Sequence, residues 1–141
     1  MKNMKSLWAT LLVALAMVAT ASASQKVPPI PRTLSNARFV YVAAYDGDQF
    51  DPNLLPDDRM AIARVQETVE KWGKLIIVYR PEDADIILMV QSRPTEDVLA
   101  LYDAHGFRST YLWRVMARDG LQKGEAPLVS QFESAWDKIT K

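Results

Sequence analysis

The segment that decides the fold covers residues 74–91 and reads KLIIVYRPEDADIILMVQ. Two apolar runs, residues 75–79 and 86–90, stand on either side of the polar residues 80–84. Short runs that are rich in β-branched residues and separated by turn residues are typical of buried strands. A run that is apolar at nearly every position needs cover on both faces. We therefore predict that these two strands form the centre of a small sheet.

Residues 1–23 have the pattern of a signal peptide. Lys2 and Lys5 precede an uncharged run rich in Leu, Ala, Val and Met, and Ala21-Ser22-Ala23 matches the small-x-small cleavage site. Cleavage near Ala23 predicts a periplasmic or secreted protein that meets the membrane only through this leader before it is removed. The alternative is a retained membrane anchor, although the apolar run is shorter than the ~20 residues that span a bilayer.

The composition narrows the class of protein. The 141 residues contain no Cys, so a disulfide or a thiolate metal site is excluded and stability must come from packing. Loss of the leader removes two of the 17 Lys and Arg residues and none of the 17 Asp and Glu residues, which leaves a slightly acidic chain. No basic patch points to nucleic acid or to an anionic membrane surface as a partner. We expect residues 24–36 to form a Pro-rich, extended or disordered tether and residues 37–141 to form a single domain.

The first half of this domain has the pattern of a βαβ unit. Residues 38–45 are rich in aromatic and β-branched side chains and predict a strand. An amphipathic helix follows, with Asp57 as its predicted N-cap, Gly73 at its end and an apolar stripe along one face. The strand of residues 75–79 is then parallel to the first. Residues 80–84 are too short for another full crossover, which favours an antiparallel partner for the strand that begins at Asp85.

The second half predicts two further strands and a closing helix. Residues 98–102 and 111–116 form a predicted hairpin around His105-Gly106, with one half-solvated face. In the tail, Pro127 suits a first helical turn, and the apolar side chains that follow recur at helical spacing. The fold class is therefore α/β, bordering on α+β. It has one mixed sheet of about five strands in the chain order β-α-β-β-β-β-α, with two amphipathic helices packed on it; the strand order within the sheet and the oligomeric state stay open.

The order of these elements resembles a group of short exported bacterial proteins of unassigned function. The resemblance rests on Lys71-Trp72-Gly73 at the helix end, on residues 81–85 as the turn that opens the next strand, and on a hairpin from Tyr102-Asp103 to Leu112-Trp113. More distantly, the helix, the strand and Ala84-Asp85 look like the amino-terminal domain of TolB and the CsgG-like periplasmic domains. The resemblance implies an assembly or interaction module of the cell envelope and brings no catalytic residues with it.

Two clusters of polar residues are candidates for chemistry. Asp46, Asp48 and Asp51 follow the first strand and form a candidate calcium site, although Phe50 and Asp51 occupy positions where an EF-hand loop needs an oxygen ligand and a Gly. The alternative is a solvated acidic loop. Asp103, His105 and Ser109 form a candidate hydrolase triad around the single His, for which the alternative is a turn residue.

The basic residues of the hairpin region suggest a partner surface. We predict that they lie on its solvated face and contact an acidic partner, or that they keep that face soluble: Arg93, Arg108, Arg114 and Arg118. The tryptophans Trp72, Trp113 and Trp136 are assigned to core packing. The leading hypothesis is an exported, non-enzymatic domain without a cofactor, which binds a protein partner of the cell envelope through a sheet edge or the hairpin. The alternative is a small hydrolase.

Overall fold

A computed structural model of the protein describes residues 27–106, 110–121 and 126–140. The predicted leader, Arg108 and Ser109 lie outside these residues. In the described part, no helix is long and apolar enough to cross a membrane. The regular elements, in chain order, are β1 (Phe39–Ala44), α1 (Pro56–Trp72), β2 (Ile76–Val78), β3 (Ile86–Ser92), β4 (Asp97–Asp103), β5 (Trp113–Ala117) and α2 (Pro127–Ile139).

The five strands form one mixed sheet in the order β2-β1-β3-β4-β5. β1 pairs in parallel with β2 on one side and with β3 on the other, whereas β3–β4 and β4–β5 are antiparallel pairs. The α/β class, the five strands and the two packed helices predicted from the sequence are confirmed. Of the two strands of residues 74–91 that were predicted at the centre of the sheet, β3 lies there, but the prediction was wrong for β2, which is an edge strand.

The connection between β2 and β3 differs from the prediction. β2 and β3 both run parallel to β1, so residues 80–84 form the crossover that the sequence reasoning had excluded, and the inference of an antiparallel arrangement from this short connection was wrong. The antiparallel partner of β3 is β4, which follows it in the chain. β2 ends opposite Tyr41, and β3 begins opposite Val40 on the other side of β1. Between the end of β2 and the start of β3 the chain therefore crosses β1 and moves back by about one residue along the strand direction. A short segment that includes the 3₁₀ helix Pro81–Asp83 is sufficient for this connection.

The start of α1 also differs from the prediction. The helix begins at Pro56 and its N-cap position is Leu55, so Asp57 lies within the first turn and is not the cap. Proline suits this first position because its fixed φ is helical and its missing N–H would have no partner there. The predicted end is confirmed, since Gly73 adopts a left-handed conformation with φ of 78° and donates its N–H to the carbonyl of Val69.

Both helices pack on the same face of the sheet. Their apolar stripes meet alternate residues of the five strands in one core cluster, which includes Val65 and Val69 of α1 and Phe132 and Trp136 of α2. Phe132 lies at the centre of an aromatic group, with ring centroids 5.7 Å from Trp113 and 5.6 Å from Trp136. The predicted core positions of the tryptophans agree with this packing. The described helices cover one face of the sheet, and the central strands also carry a second cluster of buried side chains on the other face, as their apolar sequence predicted.

The Pro-rich segment is packed in its described part, whereas the sequence predicted a tether. Ile30 and Leu34 are buried in the main core, and a 3₁₀ helix spans Arg32–Leu34. The indole N–H of Trp113 donates a hydrogen bond of 2.8 Å to the carbonyl of Pro28. Prolines prevent a regular ladder, but they leave carbonyl acceptors and apolar side chains free for such contacts.

Candidate functional site

The most unusual surface of the molecule is the face of the sheet that carries no helix in the described residues, which we call the outer face. Successive side chains of a strand point to opposite faces, so the register of the five strands defines its members. Nearly all of them are apolar or aromatic. They are Phe39, Tyr41, Ala43, Tyr45, Ile76, Val78, Ile87, Met89, Gln91, Val98, Ala100, Tyr102, Leu112, Arg114 and Met116.

A cavity of about 350 Å³ opens on the outer face. Ala43 and Met89 belong to its lining, and the small side chain of Ala43 leaves room between the larger groups. Three rings, those of Tyr41, Tyr45 and Tyr102, also line the cavity. Its volume lies in the lower part of the range that is typical of small-molecule sites. The arrangement therefore has the size and the aromatic walls of a binding pocket.

Tyr45 and Tyr102 meet across the central strand. Tyr45 directly follows β1 and Tyr102 lies in β4, and β3 separates these two strands, yet the hydroxyl oxygens are 3.1 Å apart and the rings pack edge to face. Burial raises the pKa of the Tyr45 hydroxyl well above its usual value, and the hydrogen bond with Tyr102 raises it further. The Tyr45 phenol therefore stays neutral at physiological pH.

Asp48 places a carboxylate in the same cavity. One of its oxygens accepts a hydrogen bond of 3.3 Å from the Tyr41 hydroxyl, and the other accepts one of 2.9 Å from the N–H of Phe50. The second bond closes a local turn, which holds the carboxylate in place. Among the described residues that line this cavity, Asp48 alone is charged, and no Lys or Arg of the described part forms an ion pair with it.

A second polar cluster lies at the carboxyl ends of β1 and β3. Asp58, which is fully buried, accepts the N–H of Ser92 at 2.8 Å and contacts Nη1 of Arg93 at 3.0 and 3.1 Å. Nη2 of Arg93 binds Asp46 at 2.8 Å. The hydrogen bond with Asp58 raises the pKa of Arg93, so the guanidinium stays charged. It fastens the start of α1 to the end of β3 and has a structural role.

A buried hydrogen-bond chain continues from this cluster. The Ser92 hydroxyl and one oxygen of Asp97 are 2.8 Å apart, and the other oxygen of Asp97 accepts the N–H of Leu121 at 2.9 Å. All buried side-chain polar atoms of the described residues have a partner. These groups therefore hold the β3–β4 turn and the segment before α2 together, and each of them has a hydrogen-bond partner within the protein.

The acidic residues proposed for calcium are divided among different partners. Asp46 pairs with Arg93, Asp48 lies in the cavity, and Asp51 accepts the N–H of Asn53. The described ranges contain no group of three or more acidic or His side chains that could hold a metal ion. Calcium binding by this loop stays a prediction from the sequence.

Two members of the candidate hydrolase triad serve as turn residues. The carboxylate of Asp103 accepts the backbone N–H of His105 and does not orient its ring. The imidazole is 68% exposed, and its Nε2 lies 3.6 Å from a carboxylate oxygen of Asp85. Asp85 in turn accepts the N–H groups of Arg38 and Phe39, which together with His105 lower its pKa. Asp85 thus anchors the start of β1. The imidazole of His105 is exposed to solvent and lacks the water-excluding surroundings that favour a general base.

The three described arginines of the predicted partner surface do not share one face. Arg93 is held by two carboxylates at the end of β3, and Arg108 lies outside the described residues. Arg114 lies on the outer face, with its guanidinium 5.6 Å from the centre of the Tyr111 ring. Arg118 is exposed just after β5. Arg114 is thus the one member of this set that the structure places beside the aromatic cavity.

The sequence reasoning missed the tyrosines of the cavity. Tyr41, Ala43 and Tyr45 occupy every second position of β1 and of the residue that follows it, and this spacing places them on one face of the sheet. The signal was visible, but it did not show which face the helices would leave open. Nor did it show that Tyr102, 57 residues away from Tyr45, would reach it.

No protein-family model matches the sequence, and no curated protein matches it. Among solved structures, the chain is similar to the PelC dodecamer from Paraburkholderia phytofirmans, with 13% identity over 82% of this chain and 90% of that chain and a TM-score of 0.41. A single-substitution variant of the same dodecamer gives 14% identity, the same coverage and a TM-score of 0.37.

The solution NMR structure of uncharacterized lipoprotein B from Nitrosomonas europaea gives 15% identity over 85% of this chain and 82% of that chain, with a TM-score of 0.36. At these identities and TM-scores, what the neighbours bind or assemble with does not transfer to this chain. The predicted resemblance to TolB and CsgG-like domains stays a prediction.

Proposed function

We propose that this protein is a non-enzymatic binding module of the cell envelope that holds a protein partner on its outer face. The observation that carries the proposal is the apolar and aromatic composition of the sheet on the side opposite α1 and α2, where a buried central cluster is flanked by exposed apolar side chains. Export rests on the leader pattern of residues 1–23, as predicted from the sequence.

The exposed part of the outer face has the composition of an interface. Ile76 of β2 exposes 56% of its area, and Tyr45, which directly follows β1, and Met116 of β5 each expose 41%. Aromatic and Met side chains are enriched in protein interfaces, and contiguous apolar patches on a soluble domain mark interaction sites. The exposed side chains lie toward both edges of the sheet with buried residues between them, so a partner that contacts all of them spans the width of the sheet.

The charge of this surface defines the chemistry of the partner. Asp48 contributes a negative charge to the cavity, and the adjoining loop also carries Asp51. A complementary partner therefore presents an apolar surface with a basic group opposite the cavity, because like charges placed opposite one another disfavour association. The acidic partner contacted by arginines, which the sequence suggested, stays a prediction.

Site-specific photocrosslinking in the exporting cell tests the proposal. A photoreactive amino acid is placed at Tyr45, Ile76 or Met116 on the outer face, and at Glu70 of α1 or Ser134 of α2 as matched exposed controls. The proposal predicts one common protein adduct from the outer-face positions that the helix positions do not give. The purified partner must then bind the purified protein directly.

Three results would contradict the proposal. The first is an equal adduct from the helix positions, and the second is the absence of any adduct from the outer face. The third is an adduct made only of two copies of this chain, which would identify the outer face as a self-association surface.

A further inference from the structure

We infer that the cavity on the outer face receives the protonated amino group of a lysine side chain from the partner protein. The inference rests on the proposed function and adds the chemical identity of the group that anchors the partner. Three features of the cavity carry it: its size, its aromatic walls and its single charge.

The walls suit an organic cation. The face of a phenol ring attracts a cation within about 6 Å of its centre, and desolvation strengthens the attraction. Tyr41, Tyr45 and Tyr102 surround one space, and the pair of hydroxyls at 3.1 Å fixes two of these rings. A preformed cage of this kind loses little side-chain entropy when a ligand enters.

The negative charge of Asp48 favours a positively charged ligand. A carboxylate has about four acceptor positions, and two of those of Asp48 are used by Tyr41 and Phe50. The remaining positions can accept hydrogen bonds from an ammonium group, which is a donor with three N–H bonds. An anion would meet Asp48 without a compensating cation in the lining.

The shape suits a lysine side chain. The lining includes apolar side chains, Ile87 and Met89, which suit a flexible hydrocarbon stem with one compact charge at its end.

Titration with two small probes tests the inference on the purified full protein. n-Butylammonium reproduces the stem and charge of lysine, and n-butanol has nearly the same shape without the charge. We expect n-butylammonium to bind with a Kd on the order of millimolar, as its few atoms allow, and to shift the amide NMR signals of Tyr41, Ala43 and Met89. n-Butanol should bind at least about tenfold more weakly, because it lacks the charge-assisted hydrogen bond.

Two variants locate the effect. Asp48→Asn should weaken n-butylammonium binding about tenfold, whereas Asp51→Asn makes the same charge change in the same loop outside the cavity and should change it less than about threefold. Equal binding of the two probes, equal effects of the two variants, or shifts confined to residues outside the cavity would overturn the inference. The absence of binding by either probe would also overturn it.

The crosslinking experiment distinguishes failure of this inference from failure of the proposed function. A protein adduct that forms only from the outer face would support the binding face even if the cavity does not bind a lysine side chain.

Discussion

Replacing Asp58 by Ala is expected to lower the free energy of unfolding by about 3 kcal/mol. The carboxylate is completely buried and accepts the Ser92 N–H at 2.8 Å and Arg93 at 3.0 Å. Its removal leaves a buried N–H without a partner, which costs about 1–3 kcal/mol. Breaking a buried ion pair costs about 3–5 kcal/mol, but here Arg93 keeps Asp46 and its side chain is 31% exposed, so the lower part of that range applies.

Urea unfolding of four proteins separates these contributions. Asp58→Asn keeps an oxygen that can accept the Ser92 N–H and loses the charge, so it should cost about 1–2 kcal/mol, less than Asp58→Ala. Asp57→Ala is the matched control because Asp57 is exposed in the same helical turn, and it should cost less than about 1 kcal/mol. An Asp58→Ala midpoint equal to that of Asp57→Ala would refute the reasoning, since the buried network would then contribute nothing.

Two further perturbations test the fold. Trp136→Ala should cost about 3–5 kcal/mol in a denaturant melt, because Trp136 is buried against Phe132; an unchanged midpoint would show that α2 is not docked. Asp85→Asn should cost about 1 kcal/mol at neutral pH, since it weakens the charge-assisted bonds from Arg38 and Phe39. Because the pKa of Asp85 is lower in the folded protein than its unfolded value of 3.8, its carboxylate stabilises the fold at pH values above 3.8. This stabilisation is lost as the pH falls through the pKa of the folded state, so urea melts of variant and wild type should converge in acid. A difference that is independent of pH would contradict this assignment.

The elements of the fold were predictable because local patterns determine them. The apolar stripe of α1, the left-handed Gly73 and the first-turn Pro127 are each visible within a few residues of sequence. The N-cap was wrong because Asp57 and Pro56 are adjacent and both suit a helix start, and proline takes the earlier position. The crossover between β2 and β3 was missed because its length depends on how far β2 extends along β1, a property of register that no single segment contains.

The candidate site was predictable only in part, because it is built from long-range pairs. Tyr45 and Tyr102 meet since β3 lies between their strands, and the sequence leaves the strand order open. Arg93 looked like a surface charge because its carboxylate partner Asp58 is 35 residues away in the sequence. The open face of the sheet follows from the placement of both helices on one side, which the amphipathic stripes do not specify.

The most direct test of the binding face is a chemical-shift map of the isotope-labelled protein, titrated with the partner that photocrosslinking captures. We predict that the largest shifts fall on outer-face residues of β1, β3 and β4 around Tyr45 and Tyr102, and that the exposed surfaces of α1 and α2 change little. Shifts centred on the two helices, with the tyrosines of the cavity unmoved, would contradict the account.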